Sequence, residues 1–95
     1  MLESPPIEVR HNVDEQRFEA LIDGELARAD YRMVGPVMQM VHTEVPARLT
    51  GRGIAAQLVR AALAHAQAAG LKVRPMCSYV RAYMRRHPET GSLLG

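Results

Sequence analysis

With 95 residues, 47% of them hydrophobic, and a formal net charge of +2, the chain reads as one modest domain with a single core. One Phe, three Tyr and no Trp mean that this core must be built from aliphatic side chains, Met and Ala. The composition argues against disorder, no apolar run is long enough to span a membrane, and the acidic Met1–Pro6 opening does not resemble a signal peptide.

The charge is unevenly spread. Residues 1–45 carry four Arg/Lys against nine Asp/Glu, whereas residues 46–95 carry eight against Glu89 alone. The second half therefore attracts anions, while the first half and the shortage of aromatics disfavour nucleic acid as a partner. A solvated basic surface explains most of these arginines equally well. The lone cysteine, Cys77, excludes an internal disulfide and fits a reducing, cytoplasmic setting. One Cys and no close His pair give no metal-site spacing, so no metal is expected.

In residues 7–13, Ile7, Val9, His11 and Val13 alternate as in a strand, and Asp14-Glu15 makes a polar turn. Phe18, Ala20 and Ile22 alternate through a second strand. Asp23-Gly24 is a two-residue hairpin signal of the I′ type. The third strand spans Glu25 to Val34, with Leu26 on one face and Ala27, Ala29, Tyr31 and Met33 on the other, and Gly35-Pro36 breaks it.

The fourth strand, Val37 to Val45, suits the middle of a sheet because both faces begin apolar. Strict alternation puts Val37, Val41 and Val45 on one face and Met38, Met40, His42 and Glu44 on the other. Pro46 stops the ladder. Thr50 is the expected cap of a helix reaching about Ala69, with Ile54, Leu58, Ala62, His65/Ala66 and Ala69 at helical spacing, and Gly70 is its expected left-handed end. Leu71 to Pro75 forms a fifth strand. A last helix starts at Ser78 as N-cap, with Tyr79, Val80, Tyr83, Met84 and His87 facing inward, and ends at Pro88. Glu89–Gly95 reads as a frayed tail, and Met33, Met38, Met40 and Met84 read as core. The order β-β-β-β-α-β-α predicts a mixed α/β sheet: an antiparallel meander, then a β-α-β crossover that makes the fourth and fifth strands parallel neighbours.

At the mouth of the first helix stands Gly51-Arg52-Gly53. Glycines let a ligand approach the backbone, and the unpaired first-turn amides at the positive end of the helix dipole favour an anion. Arg48 and Arg52 add charge beside it. A tight turn that needs glycine only for its backbone angles explains the loop as readily. Gly51-x-Gly53-x-x-Ala56 formally satisfies the loose dinucleotide pattern, but the next strand offers Lys72 and Arg74 where an acidic ribose ligand belongs. Gly53-Ile54-Ala55 lacks the Gly-Lys-Ser/Thr of a P-loop.

Arg48-x-x-Gly51-x-Gly53, after a strand with a polar end and before an Ala/Leu-rich helix, resembles motif A of the GCN5-related N-acetyltransferases (GNATs). His42-Thr43-x-Val45 and Pro75-Met76-Cys77-Ser78-Tyr79-Val80, followed by His87-Pro88-Glu89, are similar to the small single-domain GNAT-like proteins of about this length. The resemblance covers nearly the whole chain and implies one minimal GNAT-like domain over residues 1–95 that binds coenzyme A or acetyl-CoA. It implies a pantetheine arm between the splayed fourth and fifth strands, along Thr43–Val45. The pyrophosphate would rest on the amides of Leu49, Thr50, Gly51, Arg52 and Gly53. The chain departs from larger members in having no helical pair between its first two strands, a region that there helps hold the acceptor.

Acetyl transfer to an amine requires a base for the amine, a donor to the thioester carbonyl and a proton for the leaving thiolate. A backbone N–H of the fourth strand can polarise the carbonyl. His42 and Glu44 are the candidate bases, with a hydrogen-bonded histidine and a solvated carboxylate as the plain structural alternatives. Cys77, just before a helix N-terminus, can carry an acetyl group or protonate the departing thiolate, or can simply be a small buried side chain. Tyr79 is a rival proton donor. The resulting expectation is an acetyl-CoA-dependent N-acetyltransferase acting on a small-molecule or protein amine. The alternative is a CoA-binding module that works through a partner with little or no catalysis.

Overall fold

Glycine, proline and acidic turn residues punctuate this chain, and they fall where its strands end. The structure, a computed structural model, describes residues 6–95, so the Met1–Pro6 opening lies outside it apart from Pro6. Its elements are β1 (Arg10–Asn12), β2 (Arg17–Ile22), β3 (Glu25–Val34), β4 (Val37–Glu44), α1 (Ile54–Ala68), β5 (Lys72–Pro75) and α2 (Ser78–Arg86). Short 3-10 turns lie at Ala47–Leu49 and Pro88–Leu93. The strands form one sheet in sequential order; the first three pairings are antiparallel, and β4 runs parallel to β5. This is the mixed meander-plus-crossover architecture that the element order predicts.

The β2–β3 hairpin turns at Asp23 and Gly24, whose φ values of 52° and 78° are the two positive angles of the I′ geometry. Phe18, Ala20, Ala27, Ala29, Tyr31, Met38, Met40 and Val73 line one face of the sheet and are buried. Over them lies the apolar stripe of α1, made by Ile54, Leu58, Val59, Ala62, Leu63 and Ala66, with Val80, Tyr83 and Met84 of α2 completing the core. Small alanines on β2 and β3 give the helix room to sit close to the sheet.

Several boundaries differ from expectation, each for a local reason. Only Arg10–Asn12 of the first stretch pairs as strand; Ile7 and Val9 pack on the core, and the Ile7 amide donates to Gln57 Oε1 of α1 at 2.9 Å. Thr50 does not cap α1. Its hydroxyl donates to the Ala47 carbonyl at 2.8 Å, and Gly53 takes the N-cap position at φ 72°. Cys77 rather than Ser78 precedes α2, since its carbonyl accepts the first helical amide, from Arg81, at 3.0 Å. Met33, beside the Gly35-Pro36 turn at the rim of the sheet, is exposed rather than core. The tail is held in place: Leu93 is buried, Leu94 bridges Val73, and the Gly95 amide donates to the Val73 carbonyl at 3.1 Å. Among the described residues no helix is long and apolar enough to cross a membrane.

Candidate functional site

The alternation of β4 breaks in its middle. Tyr31 pairs with Met40, yet Asp30 pairs with His42, so Val41 is an extra residue opposite the β3 ladder. A bulge of this kind reverses which face the following side chains occupy. His42 and Glu44 therefore do not continue the Met38–Met40 face, as strict alternation predicts, but lie on the opposite, uncovered face. Thr43 and Val45 turn toward α1 instead; Thr43 pairs with the buried Ala29, and Val45 packs on the core.

The uncovered face carries rows of alternating charge across the strands. One row is Arg10, Glu19, Arg28 and Glu44; the next is Asn12, Arg17, Asp30 and His42. Arg28 donates to Asp30 at 2.9 Å and to Glu44 at 3.2 Å, and His42 Nε2 lies 3.0 Å from Glu44 Oε1. The His42 bond and the Arg28 charge hold the Glu44 carboxyl below its usual range. Both candidate bases are half open to solvent, at 52% and 57% exposure. Asp30 Oδ1 is buried there without a hydrogen-bond partner among the described residues. Arg28 and Asp30 escape a reading of the sequence because the bulge decides which residues face them; the signal was the charge complementarity of Arg28 with Glu44.

On the other side of β4 lies a groove. Pairing with β5 runs from Val37–Lys72 to Met40–Pro75 and stops, whereas pairing with β3 continues to Arg28–Glu44. Beyond Met40 one edge of β4 thus faces no strand among the described residues. Cys77 sits at the root of this opening: its amide and that of Met76 both donate to the Met40 carbonyl, at 3.0 and 2.9 Å. The Cys77 sulfur lies 3.6 Å from Thr43 Oγ1. Burial pushes the thiol pKa up, but hydrogen bonds from the Val80 amide, the Thr43 hydroxyl and the Tyr79 and Thr43 amides outweigh it, so the net shift is downward.

At the outer end of the groove is the glycine loop. Val45, Leu49, Thr50, Gly51, Gly53, Ile54, Ala55 and Tyr79 line a pocket of ≈ 200 Å³. Leu49 is fully buried and roots the loop in the core. The amides of Leu49 and Thr50 donate to the Pro46 and Ala47 carbonyls, which leaves those of Gly51, Arg52 and Gly53 without an acceptor among the described residues. Gly51 has φ 84°, and a Cβ there would meet nothing within 4 Å. Arg48 pairs with Glu25, and Arg52 lies 3.8 Å from Asp23. Tyr79 belongs to this pocket, and burial raises its pKa against the opposing Arg86 charge, so its phenol keeps its proton. The structure thus gathers Val45, Tyr79 and the loop around one pocket, places Cys77 against Thr43 where β5 leaves β4, and sets His42 and Glu44 on the far face of β4. Among the described residues no three His, Cys, Asp or Glu side chains gather as a metal site.

A family model described as GCN5-related N-acetyl-transferase matches residues 17–93, nearly the whole of this framework. The chain belongs to the GNAT family. Its relatives include Protein NATD1 of Gallus gallus and of Homo sapiens, each 36% identical over 86 residues; these alignments cover 87% of this chain and 78% and 76% of the relatives. Protein NATD1 of Danio rerio is 30% identical over 88 residues, covering 90% of this chain and 80% of that protein. Among solved structures, a GCN5-like putative N-acetyltransferase from Staphylococcus aureus superposes with a TM-score of 0.74 at 25% identity, over 94% of this chain and 88% of that one. The five-stranded mixed sheet with its helices is accordingly this chain's version of a shared GNAT-like fold.

Proposed function

We propose that this GNAT protein binds acetyl-CoA and transfers the acetyl group to a primary amine of a small molecule or a protein. The observation that carries this reading is the open edge of β4, which begins where β5 leaves it at Met40 and leads from Cys77 toward the glycine loop. A long ligand with phosphates at one end and amides along its arm fits these residues. Free amides at Gly51–Gly53 and the positive end of α1 suit the phosphates, and the unpaired strand edge suits the arm. When bound, acetyl-CoA supplies an activated thioester.

The chain's own groups divide the remaining work. With Nε2–H donating to the ionised Glu44, the Nδ1 lone pair of His42 is left to take a proton from an incoming amine. Arg28 holds Glu44 in place. The donors around Cys77 stabilise negative sulfur, which makes its thiol a ready proton source in the groove and also an acyl acceptor. The free thiol suits a cytoplasmic setting.

A second reading has its own support. His42 and Glu44 are half exposed on a sheet face that α1 does not cover, which suits a CoA-binding module acting through a protein partner. One experiment separates the two: thermal stability with acetyl-CoA, followed by CoA release against a panel of amines. At a hundredfold excess over Kd, binding adds about 2.7 kcal/mol, or roughly 10 °C or more in Tm for a domain of this size. No shift overturns both readings, and a shift without amine-dependent CoA release leaves the binding module.

A further inference from the structure

The two arginines beside the glycine loop are already paired with carboxylates. Arg48 contacts the Glu25 carboxylate through Nε, donates to the Asp23 carbonyl at 3.2 Å and lies 4.0 Å from the Asp23 carboxylate. Arg52 reaches the same carboxylate at 3.8 Å. Both acids sit on the tip of the β2–β3 hairpin. Two cations facing two anions leave the mouth of the loop close to neutral, so an anion arriving there meets only amide donors until the carboxylates give way.

We propose that Asp23 and Glu25 are built-in counter-ions of the anion loop, which the phosphates of an incoming ligand must displace, and that they thereby set its selectivity for polyanions. The proposal rests on the CoA reading. All four side chains are between about one-third and two-thirds exposed, at 52% for Arg48, 51% for Arg52, 61% for Asp23 and 36% for Glu25. Exposed pairs of this kind are individually weak and exchange readily. A pyrophosphate diester carries two charges and a phosphate monoester up to two, against one on a carboxylate, and either can bind a guanidinium fork at two points. The hairpin cannot simply carry its acids away, because Ile22–Glu25 and Leu21–Leu26 close it as a tight ladder behind the turn. After the exchange the carboxylates stay near the ligand and repel it. Only a ligand with several phosphate charges gains enough from the arginines to outweigh that repulsion; one with a single phosphate gains less, and an uncharged one gains nothing.

The test is calorimetric titration of the wild type and the Asp23→Asn/Glu25→Gln double variant with CoA, dephospho-CoA and pantetheine. Both substitutions keep side-chain shape, and Asn tolerates the positive φ at position 23. The expected result is roughly fivefold tighter CoA binding by the double variant. The gain should be smaller for dephospho-CoA and absent for pantetheine, with an intermediate gain for Asp23→Asn alone. If the wild type binds CoA and neither variant binds it more tightly, or if pantetheine gains as much as CoA, the counter-ion proposal is overturned alone. If the wild type does not bind CoA, the cofactor reading falls and takes this proposal with it.

Discussion

Replacing Thr43 by Val is a sharp probe of the groove. Valine keeps the shape of threonine and removes one of the donors that lower the Cys77 pKa. A hydrogen bond to a charged group contributes about 1.5–3 kcal/mol, and a sulfur contact of 3.6 Å in a half-open site belongs at the low end. Removing it raises the thiol pKa, so the thiolate fraction at neutral pH falls by up to roughly tenfold. A more basic thiolate is also a better nucleophile, with a Brønsted slope of about 0.4–0.5, which returns roughly threefold. The net expectation is a reaction with an aromatic disulfide about three- to fourfold slower than wild type at neutral pH, and about threefold faster at high pH once both thiols are ionised. Cys77 is the only cysteine, so the released chromophore reports on it alone. Two parallel rate–pH curves, or a faster variant at neutral pH, would falsify the account of how this thiol is tuned.

Three other outcomes follow from the same geometry. His42→Ala should lower amine-dependent turnover by about a hundredfold or more while leaving CoA affinity unchanged, measured by CoA release and calorimetry; undiminished turnover removes His42 from the reaction. Leu58→Ala empties a fully buried site under α1 and should cost about 2–5 kcal/mol in denaturant unfolding, or at least about 8 °C in Tm. Acid should loosen the packing of β1 on α1. His11 stacks on Phe18 at 4.1 Å, lies 2.7 Å from the Tyr31 hydroxyl and 4.5 Å from the ring of His65, and burial and then His65 depress its pKa. With the folded value below the unfolded one, the unfolded chain binds the proton first. This stability is complete above the ordinary histidine range and is lost as pH falls through it toward the folded value. Tm measured from about pH 8 to about pH 5 should drop less in His11→Gln than in wild type, and equal drops would clear His11 of the effect.

The sequence made the architecture legible because its local signals agree with one another. Asp23-Gly24, Gly35-Pro36, Pro46 and Gly70 each end an element, and the helical stripe from Ile54 to Ala66 is unbroken. The glycine loop was legible for the same reason, as a chemical pattern at a helix mouth. What escaped was whatever depends on a single residue of register. Nothing in Met40-Val41-His42 announces a bulge, so period-two reasoning places His42 and Glu44 under the helix rather than on the open face. The pairing of Arg48 and Arg52 with the hairpin acids was hidden too, since more than twenty residues separate them in the chain. The tail read as frayed because its composition is that of a loop, and its order comes from lying along Val73 of β5.

The extra residue at Val41 gives β4 a division of labour that runs by odd and even numbers. Past it, Thr43 and Val45 lean toward the core side while His42 and Glu44 lean away, so neighbours along one short stretch of backbone face opposite sides of the sheet. A scan of substitutions from 42 to 45 would then trace a zigzag, turnover failing at the even positions and cofactor affinity at the odd ones. Deleting Val41 would leave both sets where they are, because Met40 opposite Tyr31 would then be followed directly by His42 opposite Asp30 in a regular ladder. Keeping Val41 but drawing it into the ladder would transpose them, driving an imidazole and a carboxylate toward the hydrocarbon under α1 and stranding the groove's own contacts in water, two failures from one step of register.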